Sequence, residues 1–162
     1  MVFDYYYKLN KTQKLIYRKS DKVEAIILNQ PKILRSTVSE LQLALDTEDR
    51  KATDRSVRSL VKGITTDLQV VSVLTKVLSV RPSNSRGELH GTYEFEDGKK
   101  PMITVWMRTA KNKKIVAYRS FLRTVLHELC HHLDYQLLGL KDSLHTEGFF
   151  KRESSLFKQL NL

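Results

Sequence analysis

Residues 118–138 read YRSFLRTVLHELCHHLDYQLL, and within them His127-Glu128-Leu129-Cys130-His131 decides both the local fold and its chemistry. The run contains no Gly or Pro, and Gly139 follows it. It therefore predicts one helix from Tyr118 to Leu138 that stops at the glycine. Leu122, Val125, Leu126, Leu129, Leu133 and Leu137 cover one broad face, while His127, His131 and Asp134 fall on another. Residues four apart on a helix lie roughly 40° apart in projection and about 6 Å apart along the axis, so His127 and His131 can grip one ion. Glu128 projects beside them, where it can take a proton from a metal-bound water.

A catalytic zinc commonly takes three protein ligands and keeps a fourth position open. The longer motif with Gly and His further along the same helix is absent, because those positions hold Asp134 and Leu137. His145, Glu147 and Glu153 remain as third-ligand candidates. After Gly139, the segment Leu140-Lys141-Asp142-Ser143-Leu144 is a short turn that brings the chain back. A second amphipathic helix is expected from near Thr146, with Phe149, Phe150, Leu156, Phe157 and Leu160 as its apolar side. A histidine at the head of that helix can reach the ion, so His145 is expected ahead of Glu153 and Glu147. Four of the five histidines lie between 127 and 145. Asp134 and Asp142 are candidates to orient the ligand imidazoles. Tyr118, Arg119 and Tyr135 are candidates to stabilise an oxyanion. Cys130 is expected to be a small buried hydrophobe, and His132 a structural or solvent-facing residue.

The HELCH helix, thirteen intervening residues and then His145-Thr146-Glu147-Gly148-Phe149-Phe150 resemble the SprT-like zinc metallopeptidases. Members of that family carry an HExxH helix, a short loop, and a third His opening the next helix with an aromatic soon after. The resemblance covers roughly 65–162 and its specific part is 127–150. It implies a minimal zincin domain that hydrolyses peptide bonds, with Zn2+ on His127, His131 and His145 and Glu128 as general base. With one Cys, the chain has no Cys-rich zinc ribbon of the kind often found C-terminal in the family.

The remaining sequence predicts an α+β fold: N-terminal helices over 1–64, then a zincin-like region over 65–162 with a small, mainly antiparallel sheet. A helix-like run through Leu15, Ile16, Val23, Ile26 and Ile27 is broken by Pro31. Helices are expected over Leu34–Leu45 and Asp54–Lys62, the second closed by Gly63. Val70–Val80 is ambiguous, and is read as helix first and strand toward Val77-Leu78-Ser79-Val80. Leu89–Glu96 and Met102–Met107 flank Asp97-Gly98 and read as a β-hairpin. Ile103-Thr104-Val105-Trp106 leads toward the motif helix, so it is a candidate to pair with an extended substrate, or else an ordinary core strand.

The formal net charge is +10, and from Lys99 to Arg123 there are eight Lys or Arg and no Asp or Glu. Such a run can attract nucleic acid, and Arg50, Lys51, Arg55, Arg58 and Lys62 could extend it. The opening Met1-Val2-Phe3-Asp4 lacks a basic region followed by an apolar run, so no secretory signal is expected and a cytoplasmic location is. No stretch is apolar enough for a membrane span. Two alternatives stand beside the peptidase: a nucleic-acid-binding module with a structural zinc site, and a zinc hydrolase acting on a non-peptide amide.

Overall fold

The computed structural model describes residues 1–162. A 3-10 turn (Asp4–Lys8) leads into α1 (Lys11–Asp21), α2 (Pro31–Asp46) and α3 (Arg50–Asp67). Strand β1 (Leu74–Val80), the two-residue strands β2 (Ser83–Asn84) and β3 (Gly87–Glu88), β4 (Gly91–Glu94) and β5 (Met102–Arg108) follow. Helices α4 (Tyr118–Gln136) and α5 (Glu147–Leu160) complete an α+β fold. No helix is long and apolar enough to cross a membrane.

The main sheet has the order β1-β5-β4 and is mixed rather than mainly antiparallel. The expected hairpin is present as β4 against β5, with Tyr93 opposite Ile103. The strand expected over Val77–Val80 is present within β1, but it starts at Leu74 and pairs with β5 in parallel, against the mainly antiparallel sheet expected. No part of 70–80 is helical: α3 ends at Asp67 and the strand begins at Leu74. Val77, Ile103, Val105 and Met107 are buried together with α2, α3, α4 and α5 in one cluster of 26 residues running from Ile26 to Leu160.

Several helix ends depart from expectation for identifiable reasons. Gly63 does not close α3 but sits inside it, where a Cβ would come within 2.5 Å of Leu34 Cδ2; the glycine lets α2 approach. Pro31 opens α2 at its first position instead of breaking a longer helix. Residues 23–29 are not helical, and Ile26 and Leu28 are buried there, with Gln159 of α5 bound to the Ile26 carbonyl and the Leu28 N–H. The motif helix ends at Gln136, two residues short of the predicted limit, and the chain turns away with Leu138 N–H bonded back to Leu133 O and Gly139 at φ +65°.

Candidate metal centre

Helix α4 carries His127 and His131 side by side, and the loop after Gly139 returns His145 between them. His145 Nε2 lies 3.1 Å from His127 Nε2 and 3.0 Å from His131 Nε2. All three ligand atoms lie within 4.8 Å of one another. Three nitrogens about 2.0–2.1 Å from one tetrahedral ion would stand about 3.4 Å apart, close to the two spacings measured from His145.

The groups behind the rings decide which nitrogen is free. Glu153 Oε1 lies 2.8 Å from His127 Nδ1. A carboxylate only accepts, so Nδ1 carries the proton and the Nε2 lone pair faces the cluster. Ser143 Oγ donates to Asp134 Oδ2 at 2.7 Å and lies 2.6 Å from His131 Nδ1. With its hydrogen committed to Asp134, the hydroxyl accepts from His131, whose Nε2 is bare in turn. A single His145 Nε2–H can serve only one of these two lone pairs, whereas a cation would take both, and such acceptor-backed imidazoles are the usual surroundings of a bound metal. Burial, reinforced by the neighbouring His127 and His145, pushes the His131 imidazolium pKa down to about 3. Burial also lowers that of His145. Both rings are therefore neutral, as ligands must be.

Asp134, offered as an orienting group, acts through Ser143 rather than directly. It is completely buried and paired with the equally buried Arg152 at 3.0 Å. Asp142 caps the Ser143 N–H at 2.8 Å and so holds the same relay. Glu153 joins the site as the acceptor behind His127, while Glu147 pairs with Lys151 at the head of α5. Ser143, Arg152 and the turn bearing Tyr5 were not singled out from sequence, because their partners lie on other elements.

Glu128 is 7% exposed. Burial pushes its carboxyl up to about 7; His127 opposes the rise and Glu153 adds to it. The carboxyl leans on β4: a Cβ on Gly91 would lie 3.1 Å from Glu128 Cγ and 3.3 Å from Oε1. Strand and helix then run in step. Gly91 faces Thr124 and Glu128, Tyr93 reaches His131 and His132, and Phe95 stacks on Tyr135 at 5.1 Å. Two strand residues advance about 6.7 Å and four helical residues about 6 Å, so the register is kept.

Of the two readings of Ile103-Thr104-Val105-Trp106, the ordinary core strand holds. Ile103, Thr104 and Val105 pair with β1 on one side and β4 on the other, so they have no backbone edge left for a substrate. The strand beside the motif helix with an unpaired outer edge is β4. Tyr118 and Arg119 lie at the far end of α4, against Asn161 and the Phe157 ring respectively, and are not in the site. His132 is fully buried: its Nε2 donates to Val71 O at 2.7 Å, which leaves Nδ1 to accept from the Tyr93 hydroxyl at 2.9 Å. Cys130 is buried in the core, and burial pushes its thiol well above its usual range.

Part of the basic run is paired with acids outside it. Lys99 pairs with Glu96, Arg108 with Glu48, and Arg123 with Glu153. Lys113 and Lys114 lie against Leu45, Asp46 and Glu48 at the α2–α3 corner. Among the basics on α3, Arg58 pairs with Asp54 and Arg50 donates to Val77 O.

No protein-family model, curated protein or solved structure matches this chain.

Proposed function

We propose that this chain is a zinc-dependent peptidase resembling the SprT-like enzymes, with His127, His131 and His145 as metal ligands and Glu128 as general base. The observation that carries the reading is the convergence of three Nε2 atoms, two of them freed by acceptors behind their rings. A zinc ion held there supplies Lewis-acid polarisation and lowers the pKa of a water it binds to about 7. Glu128 receives the proton of the attacking water and returns it to the leaving amine. Burial raises its carboxyl above the usual range, which favours proton uptake, and a zinc ion beside it would oppose that rise. A structural zinc site has no use for a buried carboxyl in this position, which favours the hydrolase over a nucleic-acid module. The unpaired edge of β4 runs in step with α4 and can take an extended peptide by backbone pairing, which favours a peptide over another amide.

Glu128→Gln is the deciding variant. It is expected to keep its fold and about one zinc per chain, since glutamine preserves shape and is not a ligand. Its hydrolysis of an unstructured protein should fall at least about 100-fold. Equal activity in variant and wild type would sink the mechanism.

A further inference from the structure

The chain's first 25 residues reach the same centre by a separate route. The Tyr5 hydroxyl, carried on the 3-10 turn, donates to the backbone carbonyl of His145. The Tyr5 ring packs edge-on against Tyr17 at 5.6 Å, and Tyr17 is wholly buried with its hydroxyl accepting from Phe3 N at 2.8 Å. Tyr5 is therefore seated on a fixed support. Just beyond His145, α1 grips the head of α5. Ser20 Oγ lies 3.0 Å from Thr146 Oγ1, and Asp21 Oδ1 accepts from Gly148 N at 2.9 Å. A Cβ on Gly148 would fall 2.6 Å from Asp21 O and 2.7 Å from Ser20 O, so the two backbones touch. The N-terminal elements thus bracket the third histidine on its own carbonyl and on the residues that follow it.

His145 is the ligand that most needs such support. It sits in a loop rather than on α4, and it is the most exposed of the three. Glu153 stands behind His127 and Ser143 behind His131, whereas the His145 ring makes hydrogen-bond contact only through the Nε2 that faces the cluster. Its aim is set by its backbone and by packing against Phe149, with ring centroids 5.1 Å apart.

We propose that Tyr5 is a positioning residue for the third metal ligand: its hydroxyl holds the His145 backbone so that Nε2 stands between those of His127 and His131. The role rests on the metal reading above and extends it to a segment whose sequence carries no metal-binding signature. Without the hydroxyl, the loop keeps its chemistry but must be ordered by the ion itself. Outer-sphere partners of metal ligands typically contribute about 10–100-fold in affinity, and one hydrogen bond to a ligand's backbone belongs at the lower end.

The test uses full-length wild type, Tyr5→Phe and Tyr7→Phe, each also combined with His145→Ala. Zinc affinity is measured against a competing chelator, and the visible absorption of the cobalt(II)-loaded protein reports ligand geometry. Tyr5→Phe is expected to weaken zinc about tenfold and alter the cobalt spectrum. Tyr7→Phe, at a ring 70% exposed, should match wild type. In the His145→Ala background Tyr5→Phe should change nothing further, because the residue it positions is gone. Unchanged affinity and spectrum in Tyr5→Phe overturn the proposal, and so does an equal loss in both backgrounds, which would mark general loosening. Failure of wild type itself to bind zinc would overturn the metal reading, and that result is visible without any Tyr5 variant.

Discussion

Glu153 Oε1 stands 2.8 Å behind His127 Nδ1, on the side of the ring away from the cluster. The contact joins α5 to α4 and fixes the His127 tautomer, so on the metal reading proposed above Glu153 anchors a ligand rather than binding the ion. The distinction is measurable. Glu153→Ala should lower zinc affinity roughly 10–100-fold, the usual loss for an outer-sphere partner. His145→Ala removes a ligand and should lower it further. Competition titrations of the two variants give the order, and the reverse order would exchange the roles of Glu153 and His145.

The relay behind His131 ends in a buried ion pair. Arg152 and Asp134 are both fully buried, and Arg152 also donates to the carbonyls of Ser20 and Val23 at 2.5 and 2.7 Å. Arg152→Met strands Asp134 without its partner and should destabilise the protein by about 3–5 kcal/mol. Asp134→Asn combined with Arg152→Met should be more stable than Arg152→Met alone, because no charge is left buried. Urea unfolding of the two variants and wild type gives the comparison. A change under about 1 kcal/mol in Arg152→Met would mean that water reaches the pair.

How far the sequence carries is clearest around this network. The 127–131 spacing, the stop at Gly139 and the return of His145 are short-range facts, each set by helical period or by one residue's φ, and all three are legible in the chain. The class of fold and the β4–β5 hairpin are legible for the same reason. Of strand β1, the Val77–Val80 half is legible and Leu74–Lys76 is not, because a Val-rich run suits helix or strand alike and the parallel partner lies 28 residues away. Gly63 looks like a stop and is a contact, since only the position of Leu34 reveals the difference. Charge is the least legible. The run from Lys99 to Arg123 contains no acid, but Glu48 and Glu153 reach three-dimensional neighbours that no local reading supplies.

His132 gives a pH test that zinc coordination does not complicate, because both of its nitrogens are already used by Val71 O and the Tyr93 hydroxyl. Burial lowers its pKa in the folded protein. The unfolded chain then binds a proton, with a pKa near 6.5, that the folded state resists. Stability from this residue is present above about pH 6.5 and is lost as pH falls from there toward the folded value. For metal-free protein, wild type should lose up to about 1.4 kcal/mol per pH unit more than His132→Gln below pH 6.5. Parallel stability curves for the two proteins between neutral and mildly acidic pH would show that His132 titrates freely in the fold.

Gly91 ties the edge strand to the base. A Cβ there would lie 2.8 Å from Thr124 Cγ2 and 3.1 Å from Glu128 Cγ, both side-chain atoms, so the neighbours move and the strand need not. Gly91→Val therefore displaces the Glu128 carboxyl while leaving His127, His131 and His145 in place. Overpacking of this kind typically destabilises by about 1–3 kcal/mol, so activity should be measured well below the melting temperature. Misplacing a catalytic group by about 1 Å can reduce rate about 100-fold. For Gly91→Val, kcat/KM on an unstructured protein is accordingly expected to fall at least about tenfold. Zinc content should stay at the wild-type level, because no ligand touches the new methyl groups. Gly91→Ala, with a single carbon to accommodate, should fall between the two. Wild-type kcat/KM in Gly91→Val would show that Glu128 acts from a position independent of β4. Loss of zinc in the same variant would show instead that the strand supports the ligands themselves.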